Sequence, residues 1–543
     1  MRVACIPLIL LGGYFGYRFA SELYGQWSGV TFLVLWTFSP LILGWGATIC
    51  PDVHAAALGI VGLYTFWRWL KTPTWGKAII AGICLGLLPL TKTTWIIAFP
   101  IWLLLWGIWR FFGQAVGVTG VKKLAVFEKA GSPHPNPLPK GEGTRLPFRQ
   151  FAVIMLLGLY MINMGYLFDG SFRPLKDYQF ISGTLTGHEV TQGRAVNVGN
   201  RFADTWLGHV PVPLPAEFVQ GIDTQRIDFE RTIESYARGV WSDRGWWWYY
   251  GYVLLLKEPL GVLGLLLLAL FVSVFYRKAH HPHPSPLPEG EGTDISWRDE
   301  LTVLIPLLAI FIFISSQDGF SIHPRYVVFV LPLLYIFASK TASIHSFSPR
   351  AKDKLSPLSP SVEGKLNPLP PRIGDKLSPL SLWERVRVRA CASTMTTQRF
   401  KNCLSGLSAV LLIWVVISSM SFYPHSMSYF NELAGKPKNY PQYLLGSNID
   451  WGQEAYALQT WAERNPDAKP LYISYSTPLS LEKLGIESAG AVPTEPTAGW
   501  MVVGVNDLFT RGGRLDWLKE HEPVGMIGYS VWVFEIEERD VLP

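Results

Sequence analysis

Apolar residues gather along this chain in runs of the length that a bilayer demands. About 20 consecutive, mostly apolar residues cross the hydrocarbon core as a helix, and only a helix or a closed barrel satisfies its backbone there. Ten stretches qualify, at roughly 5–21, 28–50, 53–70, 77–91, 94–112, 150–168, 249–275, 301–316, 325–340 and 404–420. Arg18 interrupts the first, and Lys92 closes the short fourth. Two long polar stretches, 169–248 and 421–543, stand between and after these runs. In the second, short apolar runs at 470–476, 500–505 and 529–536 predict strands, and 452–464 and 514–520 predict helices. Asp450 and Gln453 fit a capping box at the first of those helices. The pattern predicts a polytopic α-helical membrane protein of about ten spans with a small C-terminal α/β domain.

Charge orients the spans, because Lys and Arg accumulate in short cytoplasmic loops. Arg68, Lys71 and Lys77 follow the third run. Arg110, Lys122, Lys123, Lys129, Lys140, Arg145 and Arg149 follow the fifth, and Arg385, Arg387 and Arg389 lie in 341–401. With those loops inside, 51–52, 92–93, 169–248, 317–324 and the tail 421–543 face outward. The expected layout has four parts. Residues 1–168 form a first bundle with a cytoplasmic insertion near 113–149, and 169–248 a long extracytoplasmic loop. Residues 249–420 form a second bundle with insertions near 279–299 and 341–401, and 421–543 the extracytoplasmic α/β domain. This parity puts Met1 outside as well; one more span ahead of it would restore a cytoplasmic start.

Composition agrees with a membrane protein. Of 543 residues 49% are hydrophobic and 16% charged, against about 25% charged in soluble domains. The mean hydropathy is +0.22. A disordered chain, a coiled coil and an ordinary soluble enzyme are excluded. The net charge of +6 forms no Lys/Arg stripe interleaved with aromatics, so nucleic acid is not an expected partner. Cys5, Cys50, Cys84, Cys391 and Cys403 all lie outside the two long outer stretches, so no disulfide framework is expected there. No Cys/His spacing suggests a metal. PHPNPLPKGEGT at 133–144 and PHPSPLPEGEGT at 282–293 repeat each other, and LSPL recurs at 355–358 and 378–381 with NPLPP at 367–371. Pro and Gly at that density read as disordered insertions without a catalytic role.

The candidate chemistry sits at the outer mouths of the spans. Asp52 opens the third run; it is either an N-cap or a carboxylate at the water–membrane boundary, and the two are compatible. Lys257 lies about two turns inside its run, next to Glu258; it either snorkels to the headgroups or holds a lipid phosphate. His323, Arg325 and Tyr326 open the ninth run. An outward-facing Arg there needs an anionic partner, a carboxylate or a phosphate, and its fork suits phosphate bidentately. No Walker loop, GxSxG or HExxH is present, which excludes the usual ATPase, serine hydrolase and zinc protease chemistries.

The order of motifs carries a resemblance. Asp52, AGICLGLLPLTKTTW, GNRF, TWLG, PVPLP, GID, the GWWWYY and KEPLG passage, HPRY and SNIDWGQ follow one another over most of the chain outside the inserted repeats. This order resembles a bacterial branch of the family 39, PMT-like and ArnT-like membrane glycosyltransferases of the GT-C fold. The resemblance implies a bacterial inner-membrane, multi-pass enzyme with its C-terminal domain outside. It would move a hexosyl or pentosyl unit from a polyprenyl-phosphate donor to a hydroxyl of a protein, lipid or glycan, with no further cofactor. A carboxylate would deprotonate the acceptor while cations stabilise the departing lipid phosphate. Carried over by position, Asp52 becomes catalytic, Lys257 and Arg325 hold the phosphate, and His323 and Tyr326 line the cleft. Asn448, Asp450 and Trp451 are weaker candidates. The family's principal carboxylate lies in a first large outer loop that this sequence lacks, and Asp52 matches the second acidic position. Four readings therefore stay open: the transferase, its truncated and inactive remnant, a lipid-linked sugar transporter or flippase, and a non-catalytic assembly subunit.

Overall fold

The computed structural model describes residues 5–112, 147–188, 198–230, 233–275, 296–317, 319, 321–346 and 382–541, the last segment with side chains from 399. The two dodecamers, the LSPL and NPLPP stretches and Lys122, Lys123, Lys129, Lys140 and Arg145 lie outside the described residues. So do the side chains of Arg385, Arg387 and Arg389.

Each of the ten apolar runs carries helix. The N-terminal series is α1 (Ile6–Tyr24), α2 (Gln26–Thr37), α3 (Pro40–Gly46), α4 (Asp52–Lys71), α5 (Trp75–Thr91), α6 (Ala98–Phe111) and α7 (Phe148–Gly165). The segment 169–248 contributes α8 (Gly183–Thr186), α9 (Ala216–Glu230) and the hairpin β1 (Ser235–Ala237) and β2 (Val240–Ser242). The second series is α10 (Tyr249–Lys257), α11 (Leu260–Phe275), α12 (Trp297–Ser315), α13 (Leu331–Ser339) and α14 (Leu382–Met420).

Two of the runs are not single helices. The run 28–50 breaks where the Ser39 hydroxyl accepts the Ile42 amide at 3.2 Å and Pro40 opens a new helix, at a bend of 55°. A side-chain cap followed by proline is a helix start, and it ends α2 early. The run 249–275 breaks at Glu258, which is extended ahead of Pro259, and the two halves meet at 112°. A residue before proline is pushed out of helical geometry, which accounts for the turn. Four described helices are long and apolar enough to cross a membrane, or up to six if each bent pair is one span. α4 carries Asp52 in its first turn and Arg68 and Lys71 in its last, and α12 carries Asp299 and Glu300 in its first.

The bundle has a centre and a rim. The segment Pro324–Ser343 is 89% buried, whereas Thr93–Phe111, Phe148–Gly165 and Arg399–Met420 are each 33% buried. The first is therefore the central element, and the other three present apolar faces outward. α4 and the turn leading into α13 pack together there, and α5 packs on α7. The α5–α7 contact depends on glycine: a Cβ at Gly86 would stand 2.4 Å from the Gly158 carbonyl oxygen. Small residues at such crossings let helix backbones approach closely.

Residues after 420 build a four-stranded sheet in the order β3 (Leu471–Ser474), β4 (Gly499–Gly504), β6 (Val531–Ile536), β5 (Gly525–Ile527). β3 runs parallel to β4, and the other pairs are antiparallel. Period-2 alternation sends Met501, Val503, Trp532, Phe534 and Ile536 into the same core as the apolar helices. Val502, Val531 and Val533 face the other way, onto Ala455 and Leu458 of α15 (Ala455–Arg464). The sheet thus shares its core with the bundle. α15 starts later than the sequence pattern predicts, and its N-cap position, Glu454, makes no side-chain cap. The expected capping box is absent because its members are used elsewhere. Asp450 accepts the Gly452 amide at 2.6 Å and the Ser530 hydroxyl, and Gln453 accepts the Trp451 amide at 2.7 Å. The segment predicted as helix 514–520 forms a 3₁₀ turn over Asp516–Glu520, and the short β5 was not foreseen.

The segment 169–248 packs on itself around Tyr178, Phe180 and Ala216. Its proline stretch is extended, with the Phe172 amide donating to the Val212 carbonyl at 2.9 Å. Asp223 of α9 is 2% exposed and accepts the Ile181 and Ser182 amides at 2.6 and 2.9 Å, which ties the loop's first half to its helix.

Candidate functional site

The site grows from the connection between α3 and α4. Pro51 is the N-cap residue of α4, so Asp52 is its first helical residue and makes no side-chain cap. Its carboxylate is 1% exposed. Buried carboxylates need compensating partners, and this one has two. Lys92, at the C-cap of α5, forms an ion pair with Oδ1. The Cys50 thiol donates to Oδ2 at 2.8 Å. From the other side the Arg325 guanidinium donates through Nη1 to Cys50 Sγ at 3.2 Å. Asp52 and Arg325, distant in sequence, are joined through one sulfur.

Aromatic faces hold the two cations. Lys92 Nζ lies 4.8 Å from the ring centroids of both Tyr326 and Phe329. Arg325 lies 4.9 Å from the Trp451 ring and 5.3 Å from Tyr326. Cation–π contacts fix a cation without neutralising it. Among the described residues, the buried Arg325 Nε has no hydrogen-bond partner. His323 places Nδ1 2.8 Å from the Ser447 hydroxyl and its ring 5.2 Å from Trp451. Burial, and then the Arg325 charge, push its pKa down to about 4, so it is neutral at neutral pH. Asp52, His323, Arg325 and Tyr326 therefore meet at one place.

Lys257 does not join them. It is 1% exposed, and its ammonium donates to the backbone carbonyls of Met427, at 2.9 Å, and Asn448, over the Phe430 ring at 4.4 Å. An amine whose protons point at main-chain carbonyls in the interior is a tether between α10 and the segment after α14. Asn448 is fully buried as well, donating to the Tyr249 hydroxyl and the Leu445 carbonyl, each at 2.8 Å. Asp450 is held within the C-terminal segment by Ser530 and Gly452. Trp451 belongs to the cluster, 41% exposed against Arg325.

Lys92 and Cys50 are the residues that the sequence reading missed. The available signals were a lysine between two apolar runs on the same side as Asp52, and a thiol two positions before it.

A cavity of ≈ 520 Å³ opens beside the cluster. Its polar lining is Lys92, Thr93, Thr94, Gln225, Arg226, Gln317 and Tyr326, and Ile96, Ile97, Pro100, Ile222, Phe313, Ile314 and Phe329 make most of its walls apolar. α9 closes one side, latched by the Thr93 hydroxyl donating to Gln225 Oε1 at 2.7 Å and Arg226 Nη1 donating to Gln317 Oε1 at 3.1 Å. A largely apolar cavity with Lys92 and Arg226 in its lining suits an amphiphile with an anionic head.

No family model and no curated protein matches the chain. Among solved structures, it is similar to the crystal structure of ArnT from Cupriavidus metallidurans bound to undecaprenyl phosphate. The TM-score is 0.38 and the identity 12%, over 100% of this chain and 85% of that one. It is similar also to ArnT from the same organism in the apo state, at TM-score 0.34 and 14% identity, over 100% and 84%. Likeness at that level leaves the function to be argued from this chain's own residues.

Proposed function

We propose that this chain is a multi-pass membrane glycosyltransferase that takes a sugar from a polyprenyl-phosphate donor on the outer face of a bacterial inner membrane. One observation carries the reading: two cations, Lys92 and Arg325, flank a buried carboxylate, Asp52, and the first of them lines a largely apolar cavity. Such a site fits a lipid phosphate better than a soluble anion, because the walls offer apolar contact to the chain behind the head. An excess of Lys and Arg in the loops at the other end supports reading this end of the bundle, 169–248 and the segment after 420 as outward-facing.

The reaction is a displacement at the anomeric carbon. The acceptor oxygen forms its bond to that carbon as the bond to the phosphate oxygen breaks. The electron pair leaves on the lipid phosphate, where Lys92 and Arg325 stabilise it. When the phosphate draws on Lys92, Asp52 is left with an oxygen free to take the acceptor's proton. His323 and Tyr326 bound the cleft, and Trp451 lends it an aromatic wall.

The test is sugar transfer by the full chain in vesicles, with polyprenyl-phosphate sugars as donors and hydroxyl-bearing lipids, peptides and glycans as acceptors. Asp52→Asn is expected to lower turnover by about 10²-fold or more, the scale of general-base removal. Loss of no donor in any pairing, or an Asp52→Asn variant as fast as the parent, contradicts the reading. Movement of intact donor across the vesicle without cleavage would assign a transporter instead.

A further inference from the structure

Arg325 and Asp52 are of opposite charge and stand one atom apart, yet they are not an ion pair: among the described residues Asp52 pairs with Lys92. Cys50 Sγ occupies the space between, donating to Asp52 Oδ2 at 2.8 Å and accepting from Arg325 Nη1 at 3.2 Å. We propose that Cys50 is a positioning residue whose thiol keeps Arg325 off Asp52 and so leaves the guanidinium open to the donor's phosphate; this rests on the transferase reading above.

The chemistry of the three groups carries the argument. A guanidinium and a carboxylate in direct contact form a bidentate pair, the strongest of the common side-chain contacts, and each then satisfies the other. A neutral thiol is a weak donor and a weak acceptor. It fills the gap and orients both neighbours without cancelling either charge. Two further observations show the guanidinium held short of saturation. Among the described residues its buried Nε has no hydrogen-bond partner, and the Trp451 and Tyr326 rings beside it hold the group without cancelling its charge. Pro51 follows Cys50 as the N-cap residue of α4, which fixes where the thiol stands relative to Asp52.

The prediction is a non-additive pair. Cys50→Ala removes the spacer, so Arg325 closes on Asp52 and affinity for a phosphate falls. With Asp52→Asn already present there is nothing to close on, and the same change costs nothing. Binding of unsubstituted polyprenyl phosphate to the full chain in vesicles measures this without chemistry. Expected are a loss of about tenfold for Cys50→Ala, a value within about threefold of the parent for Cys50→Ser, and no further loss for Cys50→Ala in the Asp52→Asn background. A merely structural role for the thiol would lower binding in both backgrounds. Equal losses with and without Asp52, or parental affinity in Cys50→Ala, overturns the inference while leaving the transferase reading in place. If the parent binds no polyprenyl phosphate at all, that reading fails and the spacer role fails with it.

Discussion

Two lysines of this chain, alike in the sequence, do opposite work. Lys92 pairs with a buried carboxylate at the edge of a cavity, whereas Lys257 is sealed among carbonyls. Removing a buried donor whose two acceptors stay behind costs about 2–4 kcal/mol, because the freed carbonyls lose their hydrogen bonds. Lys257→Met is therefore expected to lower the melting temperature in detergent while donor KM stays within about twofold. A raised KM with unchanged melting would restore Lys257 to the phosphate site. The sequence made Asp52 and Arg325 legible because a charge at the mouth of an apolar run demands a partner. It could not name the partner. Nothing in the local pattern tells a lysine that meets a carboxylate from one that meets main-chain oxygens, since both follow from long-range packing.

At the scale of elements, the apolar periodicity located every helix of the bundle but read through its two breaks. Both breaks carry a proline, at Pro40 and Pro259, and both bring polar groups inward. At the second, Glu258 accepts the Tyr335 hydroxyl at 2.9 Å, and its carbonyl accepts the Asn431 side chain at 2.8 Å. The bend is thus fixed by residues far along the chain, which a window of twenty residues does not see. The α5–α7 crossing gives a direct check on helix packing. A side chain at Gly86 must displace the α7 backbone, whereas a Cβ at Gly107 of α6 meets nothing within 4 Å. Gly86→Leu is expected to destabilise the protein by about 3 kcal/mol or more, as overpacking does at its upper range, and Gly107→Ala to leave melting unchanged or slightly raised. Equal melting temperatures for the two variants would contradict the close crossing.

Across the whole molecule, the segment after 420 is bound into the bundle. Lys257 reaches Asn448, Trp451 stacks on Arg325, and one face of the sheet completes the common core. The pH dependence of stability reports on this join. Burial pushes the Asp450 carboxyl up from 3.8 to about 6, with Ser530 and Gly452 opposing, and Glu454 beside it is raised as well. A raised carboxyl means that the native state holds a proton which the unfolded state has released between those two values. Stability therefore falls as pH rises from about 4 to 6, by roughly 3 kcal/mol from Asp450. Asp450→Asn should flatten that slope in pH-dependent melting; an unchanged slope would place the titration elsewhere.

The central claim is that Lys92 and Arg325 together grip the phosphate of a lipid whose chain lies in the adjoining cavity. Titrating polyprenyl phosphate into vesicles of the full chain, its Lys92→Gln variant and its Arg325→Gln variant tests this most directly. The account predicts saturable binding by the parent and a loss of about tenfold or more in each variant, the scale of one charge-assisted contact. Parental affinity in both variants, or no saturable binding by any of the three, would contradict it.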